Sequence, residues 1–443
     1  MSTAIFDNFQ GPNNRPAHFP FGIRVGSGHS AGINDIGVPG SPGFGVGICP
    51  GPLPVGMSPM NGYDNPLHYN YGNYTYSDGS VMVWIPAFYT KWGTGSNGLP
   101  LNDIDIKSIY HFSSDAEANA QGYALDRAFW DGGSRQLGVF VDKYQNSNNG
   151  GILSSLRNKS PIASGGASGS LFSHLNGSIP NTFAGAILAP KTRGPDFFCN
   201  SRFIFTALAR LSLAHGQAST STVHCAWYHP IHNFPKGCNN NALGDANDPE
   251  VRYVSSDYEN KGLTGSANNL AKTTHNGQMC GVADLNGNIW EVTPCVTVLN
   301  GTKYILKTST KMSTLTEGTT LDTDLWGAAG VAKNYEPLGG AADIWDGSGD
   351  KVFGNAANQV FSPATSGLAW AWAGAGGMTV GGDGGTNKFG NDRMYNTVQP
   401  EHTCPASGGL WNSSTAAGVW TLNLNTSRTH SAHHFGLRSA LYL

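Results

Sequence analysis

Three histidines lie close together in "HCAWYHPIH", namely His224, His229 and His232, and imidazole is a common ligand of transition metals. Their spacing is not helical, Pro230 interrupts them and the run holds no carboxylate, so packing histidines in a loop are expected rather than a metal centre. Seven cysteines, at 49, 199, 225, 238, 280, 295 and 404, include no CxxC pair, and their odd number argues against a disulfide framework. They read as buried thiols. The segment "GAGGMTVGGDGGTNKFGND", residues 374–392, is rich in glycine, but it lacks the strand, Lys-Ser/Thr and helix order that a phosphate loop needs. It reads as a surface loop. No GxSxG elbow is present, and no Ser-His-Asp arrangement can be argued.

The elements that would carry such residues are β-rich. Of 443 residues only 12% are Asp, Glu, Lys or Arg, while glycine reaches 60. Scarce Lys and Glu with abundant Gly, Asn, Ser and Thr imply short strands and turns rather than long charged helices. The net charge of -3 comes without a basic run, which removes the electrostatic drive toward nucleic acid or anionic membrane. Neither partner is expected. No apolar stretch approaches a membrane span, and "MSTAIFDNFQGPNNRPAHF" lacks the sections of a signal peptide, so synthesis and folding in a cytoplasm are expected.

Residues 1–75 are broken by Gly and Pro, as in "GINDIGVPGSPGFGVGICPGPLPVGM", and are expected to be a small β or extended attachment region. A folded domain, 76–443, then begins. "VMVWIPAFY" from Val81 reads as a buried strand, and "GYALDRAFWDGGSRQLGVFVDKY" as a strand pair about a Gly-Gly turn. The clearest helix is "SRFIFTALARLSLAHGQ", capped by Asn200 or Ser201 and stopped at Gly216, with a second short helix possible near "LDTDLWG". The sum is an α+β chain dominated by strands and loops.

Two segments resemble a known family. "GVADLNGNIWEV", within His275 to Val292, is similar to the "GLYD-x-x-GN-x-WEW" signature of the formylglycine-generating enzyme superfamily. The C-terminus resembles that family's closing pattern, with Gly408, Gly409 and Trp411 followed by Gly436, Leu437 and Arg438. The strand at Val81 and the helix after Asn200 sit where the family has its opening strand and main helix, so the resemblance covers about Val81 to Leu443. It implies a C-type-lectin-like fold of the formylglycine-generating enzyme type, with insertions. Trp290 and Arg438 are then scaffold, and Trp420 is also expected to be buried.

The family's oxidases need a copper-binding cysteine pair after the closing Gly-Gly, and this chain has Ser413 and Gly418 there, so no enzyme is expected. The resemblance also implies a structural calcium site with carboxylates from Asp284 and Glu291 and backbone carbonyls from Gly287 and Ile289. The alternative is that Asp284 and Asn288 cap turns and Glu291 pairs with Arg438.

Among the family's binders, the closing segment looks most like phage tail proteins and the variable proteins of diversity-generating retroelements. That implies a homotrimeric virion component of the tail fibre or tip. Residues 1–75 would join other tail proteins, and the C-terminal surface would meet a host cell-surface protein or glycan. The other readings are an oxidoreductase of the same family and a purely structural tail component. "TLNLNTSRTHSAHH" has large apolar residues only at Leu422 and Leu424 and then runs polar to His434. Receptor contacts are therefore expected from Asn412, Ser413, Thr415, Asn423, Asn425, Thr426, Thr429, His430, His433 and His434, on a scaffold of Gly408, Gly409, Leu422, Leu424, Gly436 and Arg438. Thr and His codons lie one adenine change from Asn codons, the trace that adenine-directed mutagenesis would leave.

Overall fold

Short, mostly buried apolar runs build two sheets, whose strands in chain order are β1 (Met57–Pro59), β2 (Asn73–Tyr76), β3 (Val81–Pro86), β4 (Gly138–Asp142), β5 (Phe198–Cys199), β6 (Trp290–Val292), β7 (Lys351–Phe353), β8 (Met378–Thr379), β9 (Arg393–Tyr395), β10 (Ala406–Ser407), β11 (Leu422–Asn423), β12 (Phe435–Gly436) and β13 (Ser439–Leu441). The computed structural model describes residues 35–443 apart from 94, 101–102, 167–168, 230–236, 238–239, 247, 300–301, 316–333, 338–349, 354–377, 380–388, 390–391 and 399–401. The first sheet runs β1-β2-β3-β4-β13-β5 and the second β8-β7-β9-β11-β10-β6-β12. Smaller two- and three-stranded ribbons complete the chain.

The apolar run at Val81 is continuous because its sheet is covered on both faces. Val83 and Ile85 of β3 and Val139 and Val141 of β4 enter the main core. Met82, Trp84, Phe140 and Leu441 enter a second cluster with Tyr74 and Phe197. The strand stops at Pro86, where a ladder donor is lost, and Phe88–Trp92 forms a separate strand paired with Ile104–Ser108 and Ala124–Leu125. The expected Gly-Gly hairpin is smaller than the sequence suggests. Gly132 and Gly133, at φ 57 and 77, close strands of only two residues each, Trp130–Asp131 and Ser134–Arg135. The following "GVFVD" strand is instead drawn into the first sheet between β3 and β13, where Val139, Phe140 and Val141 lose all exposure.

Residues 35–76 belong to this body. Ile36, Phe44, Val46 and Ile48 lie in the main core, and β2 pairs with β3, so the packing shows no break at residue 75. The long helix spans Arg202–Ala218, and its N-cap is Ser201, whose Oγ accepts from Ile204 N at 3.2 Å. It continues past Gly216 because Ser219 supplies the stop, donating from both N and Oγ to His215 O. The helix expected near "LDTDLWG" lies outside the described residues.

The result is mixed, sheet-rich and loop-rich with few helices, compatible with a C-type-lectin-like α+β fold. No helix among the described residues is long and apolar enough to cross a membrane.

The helix is buried from Arg202 to Gly216, so its two arginines need partners in the core. Arg202 donates to Ser407 Oγ at 2.9 Å and to the Trp420 carbonyl at 3.0 Å, and Arg210 pairs with Asp126. Replacing Arg210 with Leu leaves the buried Asp126 carboxylate without its ion-pair partner, and breaking such a pair costs about 3–5 kcal/mol. Urea denaturation of Arg210→Leu is expected to show that loss with an unchanged m-value; a loss under about 1 kcal/mol would mean the pair is solvated.

Candidate functional site

The C-terminal segment crosses between the sheets, and its scaffold is set by close approaches. Gly408 and Gly409 have φ of 90 and 84, and a Cβ on Gly409 would lie 2.9 Å from the Ala417 Cα. A Cβ on Gly436 would lie 2.4 Å from the Ile289 Cδ1. Leu422 and Leu424 point inward, and Trp290, Trp411, Trp420 and Arg438 are buried.

Polar residues are laid over this base. Thr426 Oγ1 donates to the Cys404 carbonyl at 3.1 Å, and Asn425 Oδ1 accepts from Val398 N at 3.0 Å. Arg428 is buried with its guanidinium 3.9 Å from the Phe183 ring centre. Ser431 Oγ donates to the Ser164 carbonyl at 2.6 Å, and the Ser164 hydroxyl answers by accepting from Ala432 N at 3.1 Å. The loop is thus pinned at both ends, while Asn412, Thr415, Thr429 and Ser431 are exposed. Asn423, Asn425, Thr426, His430, His433 and His434 are half-buried. Ser413 is buried, and its hydroxyl accepts from Leu410 N at 3.0 Å.

The aromatic side chains form one cluster. His433 stacks on Trp411 at 5.5 Å, tilts against Tyr258 at 4.6 Å and places Nε2 3.3 Å from Glu259. His434 meets the Trp411 ring edge-on at 6.0 Å, and His430 lies 4.8 Å from Phe435. Tyr258 and Glu259 are the site residues that the sequence pattern missed. They sit on a tight turn closed by the Lys261 N to Tyr258 carbonyl bond at 3.1 Å, with Glu259 at φ 42. "ENKG" was the only local signal for that turn.

Beneath the loop lies the expected calcium set, and its oxygens are already taken. Arg438 donates five hydrogen bonds: Nε and Nη2 to the two Glu291 oxygens at 2.9 and 2.8 Å, Nη1 to the Asp142 and Lys143 carbonyls, and Nη2 to the Ala283 carbonyl. Gln145 Nε2 lies 3.4 Å from the Gly287 carbonyl, 3.1 Å from that of Ile289 and 3.3 Å from Glu291 Oε1. Asp284 faces other donors, Gly265 N at 2.6 Å and Tyr253 Oη at 3.4 Å, and burial raises its carboxyl pKa to about 6. The four residues do not present a shared set of free oxygens, so they do not fit a calcium ion.

The other candidate groups also have local roles. His215 Nδ1 accepts from Gly40 N at 3.1 Å, so its Nε2 donates to the His224 carbonyl; His229 is exposed and His232 lies outside the described residues. At the positions where copper-binding thiols would stand, Ser413 is engaged as described, and Gly418 is packed so that a Cβ would lie 1.9 Å from an Asp392 oxygen. Most of 374–392 lies outside the described residues.

No family model matches the chain. No curated protein matches it. Among solved structures, the "Major Tropism Determinant U1 Variant" is similar at 11% identity and a TM-score of 0.26, with 83% of this chain and 65% of that chain covered. The chain therefore spans less than two thirds of that protein, and a likeness this slight settles neither fold nor function.

Burial, with His433 and His430 alongside, pushes the His434 imidazole down to about 4 from 6.5. Between those values the unfolded chain binds a proton that the folded site refuses, so stability is present above pH 6.5 and is lost as pH falls toward 4. His434→Phe is expected to narrow the drop in Tm between pH 7 and pH 5. The buried His215 and His275 act in the same direction and remain in the variant. An undiminished drop would show that His434 titrates as in free peptide.

Proposed function

We propose that the chain is a receptor-binding adhesin of a bacteriophage tail, not an enzyme, built on a C-type-lectin-like domain of the formylglycine-generating enzyme type. It acts as a homotrimer in the tail fibre or tip. The N-terminal region joins it to other tail proteins, and the surface between Trp411 and Phe435 meets a protein or glycan on the host cell. That surface is open to diversification by a retroelement.

One observation carries this reading: the division of labour within the closing segment. Every position expected to be scaffold is buried, whereas the polar stretch is anchored by backbone groups together with the Asn425, Thr426, Arg428 and Ser431 side chains and leaves Asn412, Thr415, Thr429, Ser431 and part of His433 open to solvent. With those anchors kept, the side chains at 412, 415 and 429 can change without changing the loop's shape, as a recognition surface on a rigid base requires. Single contacts of this kind are weak. Three linked copies meeting a repetitive cell surface would raise avidity by about 10²- to 10⁴-fold. The oxidoreductase reading lacks soft ligands, since Ser413 and Gly418 offer none where the resemblance requires thiols.

The test replaces three exposed groups and the half-buried His433, the ring that lies over Trp411. A variant with Asn412, Thr415, Thr429 and His433 all changed to Ala is expected to keep the trimeric mass of the unmodified protein by light scattering, to keep its Tm within about 2 °C, and to lose at least tenfold in host-cell adsorption. Undiminished adsorption would remove the receptor surface from this segment, and a monomeric mass for the unmodified protein would remove the trimer.

A further inference from the structure

We propose that the carboxamide of Gln145 stands where a metal ion would otherwise sit, making the turn beneath the C-terminal loop a cation-independent staple that one atom exchange converts into a cation site. Gln145 is fully buried, and its Nε2 is the point on which the Gly287 carbonyl, the Ile289 carbonyl and Glu291 Oε1 converge at 3.4, 3.1 and 3.3 Å. These are three of the oxygens that a calcium ion in this motif would require.

The orientation of the amide follows from groups whose roles are not ambiguous. The Gly262 N–H can only donate and the Gly262 carbonyl can only accept. The first gives its hydrogen to Asn288 Oδ1 at 2.7 Å and the second accepts from Asn288 Nδ2 at 3.1 Å, which fixes the Asn288 amide. Asn288 Nδ2 then donates to Gln145 Oε1 at 2.9 Å, which turns the Gln145 nitrogen toward the three oxygens. Flipping either amide would set donor against donor and acceptor against acceptor.

Charge points the same way. Both oxygens of Glu291, the only carboxylate among the three groups that meet Gln145 Nε2, are bound by the Arg438 guanidinium, and the pair is almost fully buried. A divalent cation at the Gln145 nitrogen would add two positive charges beside a buried arginine whose partner is already engaged. The neutral amide offers its two hydrogens to these oxygens, with the Gly287 carbonyl the most distant at 3.4 Å, and does so without that charge.

Changing Gln145 to Glu exchanges the converging N–H₂ for oxygen. That would leave two carboxylates and two carbonyls facing one point with no hydrogen between them, an arrangement that calls for a hard cation. Trp290, adjacent to both Ile289 and Glu291 in the chain, provides a sensitiser for terbium emission.

The experiment measures Tm in EDTA and in millimolar calcium chloride, together with terbium luminescence excited through tryptophan, for the unmodified chain and for Gln145→Glu. The unmodified chain is expected to melt at the same temperature in both solutions and to give no saturable terbium signal. Gln145→Glu is expected to melt lower in EDTA, to rise by at least about 3 °C in calcium, and to give terbium emission that calcium displaces. A calcium-dependent rise or displaceable terbium signal in the unmodified chain overturns the proposal. So does a folded Gln145→Glu protein that ignores both ions. Should Gln145→Glu fail to fold in either solution, the comparison on the unmodified chain decides.

Discussion

The structure turns on Arg438, which sits where the chain leaves one sheet for the other. β12, ending at Gly436, pairs with β6 of the second sheet, and β13, starting at Ser439, pairs with β4 and β5 of the first. A guanidinium has five N–H donors, and all five are used here, on Glu291 of the second sheet, on the Asp142 and Lys143 carbonyls at the end of β4, and on the Ala283 carbonyl before the turn. Burying an ion pair is costly unless every donor and lone pair is satisfied, and removing one partner then leaves an uncompensated charge. The bidentate geometry with Glu291 also fixes direction as well as distance, a service that lysine could not supply. This one side chain ties the two sheets together with defined geometry, alongside the shared core and the Cys199 Sγ to Val292 carbonyl contact at 3.3 Å.

That junction explains why the surface above it can be polar and loop-like. Trp290, one residue before Glu291, donates from its N–H to the His434 carbonyl at 2.8 Å, and Trp411 N donates to the Asn288 carbonyl at 3.2 Å. The closing segment is therefore tied to the junction through main-chain groups that no side-chain replacement removes. Residues 164 and 165, far away in sequence, hold the end of the loop in the same way, donating from Ser164 N to the Phe435 carbonyl at 2.7 Å and from Gly165 N to the Ala432 carbonyl at 3.1 Å. The groups that remain outside, Asn412, Thr415, Thr429 and part of His433, ride on that framework and are free to carry recognition.

Part of this was legible in the sequence. The "GVADLNGNIWEV" and "GLRSAL" segments identified Trp290 and Arg438 as interior groups, and both are. The alternation in "TLNL" marked Leu422 and Leu424 as inward, and both are, whereas the polar run after them is only partly surface, since Arg428 is buried and most of its neighbours are half-buried. Gln145 was not legible, because a neutral amide 146 positions before Glu291 carries no motif, and only the fold brings it to the turn. Tyr258 and Glu259 were hidden for the same reason. The Gly-Pro-rich stretch before residue 75 reads locally as an arm. From residue 35 onward its apolar bursts, Ile36, Phe44, Val46 and Ile48, instead lie in the core, and the Gly45 carbonyl meets His275 Nε2 at 3.1 Å. Residues 138–142 went to a neighbouring sheet because burial of three large side chains outweighs a two-residue turn.

The central claim is that the junction is energetically independent of the side chains displayed above it. Amide hydrogen exchange on peptides covering residues 288–293 and 435–441 tests this directly, compared between the unmodified chain and the variant carrying Ala at 412, 415, 429 and 433. Equal, slow exchange in both proteins is predicted, with any acceleration confined to the loop. Exchange faster by tenfold or more at Trp290, Glu291 or Ser439 in the variant would show that the loop side chains hold the sheets together, and would contradict the account.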